Sequence, residues 1–91
     1  MIRIDHMHFI TLIKFRKKAS DVVEVAKEVM ENLPKDLKIT GAYWTLGRFD
    51  AVLIYEAPSE KEAMKLGIDM GNVMQTQTMV AVPREEAVKL L

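Results

Sequence analysis

The side chains best suited to chemistry or ligand binding cluster between Gly41 and Glu56. This stretch contains the only tryptophan of the chain, both tyrosines and an Arg–Asp pair. Aromatic rings beside a guanidinium and a carboxylate can hold a small molecule by stacking, hydrogen bonding and charge. The candidate ligand-binding residues predicted here are Tyr43, Trp44, Arg48 and Asp50.

Each of these residues also has a structural interpretation. Asp50 follows a glycine turn, where a carboxylate commonly accepts N–H groups of the turn; the alternative is a general base or ligand anchor near Arg48. Arg48 can bind an anion through two parallel hydrogen bonds, pair with a neighbouring carboxylate, or stack on an aromatic ring such as Trp44. Tyr43 and Trp44 point to opposite faces of a strand, so only one of them can line a given cavity.

Two histidines near the start of the chain complete the set of candidates. His6 and His8 lie two residues apart on a predicted strand and so share a face, a spacing that some metal sites use. The sequence contains no cysteine to complete such a site, so we predict no metal and no cofactor. His8 is retained as a fifth candidate ligand-binding residue.

Composition limits the classes of function. The chain has 91 residues, of which 49% are hydrophobic and 29% charged, as in a single folded domain over residues 1–91. Thirteen basic residues balance thirteen acidic ones, so no overall field favours nucleic acid. No apolar run approaches the ~20 residues that span a bilayer, and the first residues lack the apolar segment of a signal peptide. We therefore expect a cytoplasmic protein without a nucleic-acid or membrane partner.

Four strands are predicted from alternation and apolar runs, at residues 6–15, 38–45, 50–56 and 73–82. The second and third form a hairpin around Leu46-Gly47-Arg48, because glycine supplies the backbone angles of a tight reversal. In the first strand, alternation assigns the residues to two faces, Met7, Phe9, Thr11, Ile13 and Phe15 on one and His6, His8, Ile10, Leu12 and Lys14 on the other.

Two amphipathic helices are predicted between the strands. The first covers residues 19–33, with Ser20 or Asp21 as its N-cap and Pro34 as its stop. The second begins at Ser59, with Glu62 at capping-box spacing, and ends at Gly71 as the C′ residue. A short last helix begins at Pro83 and runs to Leu91. The predicted buried stripes are Val22, Val23, Ala26, Val29, Met30 and Leu33 in the first helix and Ala63, Met64, Leu66, Gly67 and Met70 in the second.

The order of these elements predicts a ferredoxin-like α+β fold, βαββαβ, with a four-stranded antiparallel sheet, two helices on one face and a short C-terminal helix. The first and third strands are apolar on both faces, although the helices can cover only one. A large exposed apolar face is rare on soluble monomers. We therefore predict a homodimer, or a higher even-numbered oligomer, formed sheet on sheet with two-fold symmetry.

The hairpin also carries a resemblance to a known family. The run from Tyr43 to Pro58 resembles the GYD-domain motif YWTLGxYDxVxxxEAP, with Phe49 where the family usually has tyrosine, and HFITLIKF is similar to the family's first strand. The likeness covers residues 8–82 and implies a fold of the dimeric α+β-barrel type. Gly47-Arg48-Phe49-Asp50 bears a looser likeness to the ligand-sensing domain of Lrp/AsnC-type regulators.

Two classes of function follow from these observations. The sequence has no phosphate-binding glycine loop, nucleophile elbow or recognisable Ser/His/Asp set. The leading hypothesis is therefore a non-enzymatic, oligomeric module that binds a small molecule or regulates. The alternative is a small cofactor-free enzyme, similar to a monooxygenase or isomerase, with a pocket near the Trp44–Asp50 hairpin; a purely structural subunit is a third hypothesis.

Overall fold

A computed structural model of the protein describes residues 6–91. Its elements follow the predicted order, including the short helix at the end. They are β1 (Met7–Phe15), α1 (Ala19–Glu31), β2 (Lys38–Trp44), β3 (Ala51–Ala57), α2 (Glu60–Met70), β4 (Met74–Ala81) and α3 (Arg84–Val88). None of the helices in this part of the chain is long and apolar enough to cross a membrane.

The four strands form one sheet in the order β2-β3-β1-β4, and all neighbours are antiparallel. The prediction of a ferredoxin-like α+β fold is therefore confirmed. β1 and β3 lie in the centre, where Phe9 pairs with Tyr55 and Thr11 with Leu53. β2 and β4 are the edge strands. β2 carries a bulge between Ile39 and Gly41, an irregularity common on edge strands because it disrupts pairing with other chains.

The core lies on one side of the sheet, under α1 and α2. The odd-numbered residues of β1 and β3 point there, as alternation predicted for β1; they are buried except for Met7 and Phe15 at the two ends of β1, which are half-buried. The shortest dimension of the molecule is 16 Å, which corresponds to one sheet and one helix layer. The buried apolar core comprises Phe9, Ile13, Val22, Val29, Leu37, Ala51, Leu53, Tyr55, Ala57, Ala63, Leu66, Met70, Val73 and Met74.

The even-numbered residues of β1 and β3 point to the opposite side, which we call the open face. Its apolar centre consists of Ile10 and Leu12 of β1, Val52 and Ile54 of β3 and Met79 of β4. The first three are half-buried, whereas Ile54 is 38% exposed and Met79 39%. The side chains around this centre are polar, with His8 and Glu56 at one end of the sheet and Lys14 and Gln75 at the other.

The start of α1 differs from the prediction. Lys18 is the N-cap, and its carbonyl accepts hydrogen bonds from the N–H groups of Asp21 and Val22. Ser20 and Asp21 therefore lie inside the first turn and neither caps the helix. The helix also ends at Glu31 rather than at residue 33. Val23 and Met30, both predicted to be buried, are exposed.

The start of α2 agrees with the prediction. Ser59 is the N-cap; it accepts from the Lys61 N–H at 3.3 Å, and its hydroxyl lies 2.6 Å from a carboxylate oxygen of Glu62. At the other end Gly71 is the C-cap itself, with an ordinary helical φ of −62°, so the left-handed C′ role predicted for it is wrong. Met64, predicted to be buried, is 67% exposed.

The last helix is shorter than predicted. Pro83 precedes α3 as its N-cap instead of occupying the first helical position, and the helix ends at Val88 rather than at Leu91.

Candidate functional site

The connection between β2 and β3 is a short loop that Thr45 holds closed. The N–H of Thr45 donates to the carbonyl of Asp50 at 2.9 Å, and its hydroxyl donates to the carbonyl of Phe49 at 2.7 Å. Gly47 adopts a φ of +112°, in a region that residues with a side chain rarely occupy. The glycine predicted at the hairpin turn is thus required by the backbone conformation, and the loop presents Arg48 to solvent.

Asp50 joins the hairpin to β1. Its carboxylate accepts the backbone N–H of Phe15 at 2.7 Å, and its own N–H donates to the carbonyl of Ile13 at 2.8 Å. The N–H of Arg16 donates to the carbonyl of Val73, the residue before β4, so the N–H of Phe15 points the other way, towards β3. β3 begins only at Ala51 and does not extend far enough to pair with Phe15, so the carboxylate takes the place of the missing main-chain acceptor. The expectation that Asp50 accepts from its own turn is wrong; its partner is a distant strand.

Tyr43 and Trp44 lie on opposite sides of β2, as alternation predicted. Tyr43 pairs with Val52 on the open face, whereas Trp44 packs edge-on against the ring of Phe15, with 5.3 Å between the ring centroids.

Arg48 lies over the ring of Phe49, with its Cζ 5.8 Å from the centroid. The aromatic partner suggested for this arginine from the sequence, Trp44, is therefore not the observed one.

His8 lies at the far end of the sheet from the hairpin. It pairs with Glu56, and its Nδ1 is 3.9 Å from a carboxylate oxygen of that residue. Phe15, the residue that Asp50 contacts, is seven positions along the same strand, or about 24 Å away at ~3.4 Å per residue. The five predicted ligand-binding residues therefore do not line one cavity, and their role in binding remains a prediction.

An apolar pocket of about 110 Å³ lies beneath the hairpin, between α1 and the sheet. Trp44, Phe15 and Met30 contribute to its walls, together with core residues of both helices. Tyr43 lines it as well, so the expectation that only one of Tyr43 and Trp44 can line a given cavity is wrong, whereas Arg48, Asp50 and His8 do not line it. Ligand sites usually measure ~300–1,000 Å³, so this pocket is smaller than a typical site for a bound metabolite.

A larger groove lies at the opposite edge of the sheet, between α2 and β4. Its volume is about 480 Å³, within the usual range for small-molecule sites. We call it the α2–β4 groove. Most of its walls are apolar, and the polar lining side chains are the two threonines of β4 and one glutamate of α2. The lining residues are Phe9, Glu60, Ala63, Met64, Gly67, Ile68, Thr76, Thr78 and Val80.

A chain of three hydroxyl groups runs from the core to this groove. The phenol oxygen of Tyr55 lies 2.8 Å from Oγ1 of Thr11, and Oγ1 of Thr11 lies 2.9 Å from Oγ1 of Thr78. Tyr55 and Thr11 are fully buried, whereas Thr78 lines the groove. The ring of Phe9 stacks on Tyr55 with 5.5 Å between centroids, and Phe9 lines the groove whereas Tyr55 does not. Thr78 is therefore the polar end of a buried network.

Metal ligands are not gathered anywhere in the described part of the chain. Among residues 6–91, no three His, Asp or Glu side chains lie close enough together to hold an ion. His6, the second histidine of the predicted strand, lies just outside β1 and is exposed.

Comparison with protein families decides the affiliation of the chain. The family model of the GYD domain matches residues 11–91. The chain belongs to the GYD domain family. The resemblance carried by the hairpin is thereby confirmed, and the match extends through α3, beyond the end of the motif. None of the curated proteins matches this GYD domain in sequence at a significant level.

Solved structures similar to this GYD domain include regulators and an oxygenase. The feast or famine regulatory protein of Mycobacterium tuberculosis, complexed with L-methionine, matches with a TM-score of 0.61 at 11% identity, over 84% of this chain and 50% of its own. Escherichia coli AsnC matches with a TM-score of 0.61 at 16% identity, over 92% of this chain and 61% of its own. SnoaB, a cofactor-independent oxygenase of Streptomyces nogalater, matches with a TM-score of 0.61 at 8% identity, over 88% of this chain and 94% of its own.

These likenesses establish the fold and nothing further, because all three identities are low. The GYD domain spans about half the length of the first solved structures that it matches. The oxygenase, in contrast, is matched over nearly its whole length.

The α2–β4 groove was not foreseen from the sequence of the GYD domain. Sequence analysis placed the candidate site at the hairpin, where aromatic and charged residues are dense. The signal for the groove is weaker: Thr11 falls on the buried side of β1, and Thr76 and Thr78 alternate in β4. A buried hydroxyl needs a partner, so these threonines indicate polar contacts inside the fold. Their convergence on Tyr55 depends on pairing between strands that are distant in sequence.

Proposed function

We propose that this GYD domain is a self-associating module that binds a small, largely apolar molecule in the α2–β4 groove and acts as a regulatory or carrier protein of the cytoplasm. The observation that carries the proposal is the groove itself, an apolar cleft of about 480 Å³ with a few placed hydroxyl groups. Such a combination is typical of small-molecule sites. The methionine-bound regulator of similar fold supports the proposal by analogy only.

A binding module is favoured over the cofactor-free enzyme. The enzyme hypothesis needs acidic or basic groups in a pocket near the hairpin, but the pocket there is small and mostly apolar, and Tyr43 is the one ionisable residue among its described lining. Asp50, the proposed general base, is instead engaged by a backbone N–H. Fold kinship to an oxygenase does not supply the missing groups.

Gly67 allows a direct test of the groove. A Cβ at this position would lie 3.5 Å from Oγ1 of Thr76, an ordinary contact, so Gly67→Ala should leave most of the volume free. A Gly67→Leu side chain would extend into the groove and occupy part of its volume. Both changes also remove a glycine from the middle of a helix, which favours folding by up to about 1 kcal/mol relative to glycine.

The measurement is fluorescence titration with N-phenylnaphthylamine, a neutral dye that brightens in apolar sites. We expect the parent and Gly67→Ala to bind the dye similarly and Gly67→Leu to lose at least tenfold in affinity, the equivalent of about 1.4 kcal/mol. Native mass spectrometry of freshly purified parent protein, followed by denaturation, would identify a retained molecule. Equal binding by both variants would show that the dye binds elsewhere and would contradict the proposal.

A further inference from the structure

The hydroxyl chain behind the groove has a preferred direction. Each hydroxyl group carries one hydrogen, so the two links from Tyr55 to Thr11 and from Thr11 to Thr78 can in principle run either way. Tyr55 is fully buried, and within residues 6–91 its phenol oxygen has Thr11 as its single hydrogen-bonding partner. If Tyr55 accepted from Thr11, its own O–H would be buried without an acceptor, which is unfavourable.

Tyr55 therefore donates to Thr11. The hydrogen of the buried Thr11 hydroxyl then needs an acceptor of its own, and within residues 6–91 Thr78 is the other hydrogen-bonding partner of that hydroxyl. Thr78 accepts this bond and keeps its own O–H free. Because Thr78 lines the groove, the free O–H is available to a bound molecule. Hydrogen bonds in a chain polarise one another, so this donor is stronger than an isolated threonine hydroxyl.

Charge at the groove narrows the class of molecule further. Among residues 6–91, Glu60 is the one ionisable residue that lines it, and no lysine, arginine or histidine of this part of the chain accompanies the carboxylate there. An anion would thus meet a negative charge at the rim without a cation to balance it. An acceptor for Thr78 must therefore come from a neutral group.

We propose that the α2–β4 groove selects neutral, apolar molecules that carry a carbonyl oxygen, and that Thr78 donates the hydrogen bond that recognises this oxygen. The inference rests on the proposed function and adds the ligand class. Tyr55 acts as a positioning residue, since it orients the donor from the core without touching the ligand.

The test uses two probes of nearly equal shape. Acetylnaphthalene carries a carbonyl oxygen, and isopropenylnaphthalene carries a methylene group in its place. In the parent protein we expect acetylnaphthalene to bind roughly tenfold more tightly, the effect of about one hydrogen bond. Affinities are read from the shifts of methyl resonances in NMR titrations. Naphthoate, the anionic counterpart, should bind more weakly than acetylnaphthalene.

Variants then assign the preference to named side chains. Thr78→Val should reduce the ratio of the two affinities to about one, whereas Thr78→Ser, which keeps the hydroxyl, should preserve it. Thr40→Val removes a hydroxyl on β2 that does not line the groove and serves as the control with an unchanged ratio. Tyr55→Phe should lower the ratio without abolishing binding of the methylene probe, since Thr78 can then donate inwards to Thr11.

An equal affinity for both probes in the parent, or a ratio that survives in Thr78→Val, would overturn the ligand class. Tighter binding of naphthoate would overturn the requirement for neutrality. In either case the Gly67 pair with N-phenylnaphthylamine still reports on the groove. If that pair behaves as expected while neither naphthalene probe binds, this inference fails and the proposed function stands; if the dye also fails to bind, both fail.

Discussion

At the scale of single residues, Asp50 illustrates how a side chain completes a sheet. The carboxylate accepts the N–H of Phe15, which lies beyond the residues that pair with β3 and finds no carbonyl of that strand opposite it. An ionised acceptor makes a stronger bond than a neutral one. The same aspartate fixes the start of β3 against Ile13 through its own N–H. The position of the hairpin relative to β1 therefore depends on this residue.

Substitution of Asp50 tests this structural role. We expect Asp50→Ala to lower the free energy of unfolding by about 1–3 kcal/mol, because the N–H of Phe15 loses its acceptor in a half-buried position. Asp50→Asn keeps an oxygen in place and should lose clearly less. Urea denaturation measures both values, and amide hydrogen exchange at Phe15 should accelerate mainly in the alanine variant.

The opposite result would reassign the residue. If Asp50→Ala unfolds at the same urea concentration as the parent, the bond to Phe15 contributes nothing measurable. The carboxylate would then be free for the ligand-anchoring role that the sequence left open.

The same residue shows what the sequence could not predict. Asp50 was singled out correctly as a special position, but its partner lies 35 residues away and was not foreseen. The link between Thr11 and Thr78 spans 67 residues. Alternation and turn chemistry operate within about ten residues and are readable from one sequence. Contacts between strands depend on their register, which only the folded sheet determines.

At the scale of elements, the two long helices begin in physically different ways. α2 begins with a side-chain cap, because the Ser59 hydroxyl accepts from Lys61 and approaches Glu62. α1 begins without one, because its N-cap is Lys18. The predicted N-cap of α2, Ser59, is confirmed, whereas the N-cap predicted for α1 is wrong, and the local sequence explains the difference. Ser59 follows a proline that fixes the entry of the chain, whereas Ser20 stands in a polar run where several starting points satisfy the same pattern.

A matched pair of serine variants separates the two helix starts. Ser59→Ala should reduce the free energy of unfolding by about 1 kcal/mol, since two contacts at the N-terminus of α2 are lost. Ser20→Ala should change it by less than about 0.5 kcal/mol in either direction, because that hydroxyl caps nothing. Thermal melts of both variants beside the parent suffice. Equal losses in the two variants would contradict the assigned N-caps.

At the scale of the whole molecule, helices cover one face of the sheet and leave the open face uncovered. α1 and α2 pack on one face and bury the core, whereas the open face presents an apolar centre between polar ends. An apolar centre with a polar rim is the usual anatomy of an interface between proteins. The α2–β4 groove opens between the helix layer and the edge of the sheet, so association through the open face would leave it accessible.

The final prediction concerns the copy that covers the open face. We expect the parent protein to sediment at micromolar concentration with at least twice its 10.4 kDa mass. Ile54→Lys should sediment as a monomer, because association would bury an unpaired ammonium group at the centre of the interface. Val23→Lys is the matched control: Val23 lies on α1 and is 50% exposed, so the same change there should leave association intact. A monomeric parent would rule out sheet-on-sheet pairing. If Ile54→Lys still associates, the interface lies on another surface, and the exposed Met64 and Ile68 on α2 are the next residues to test.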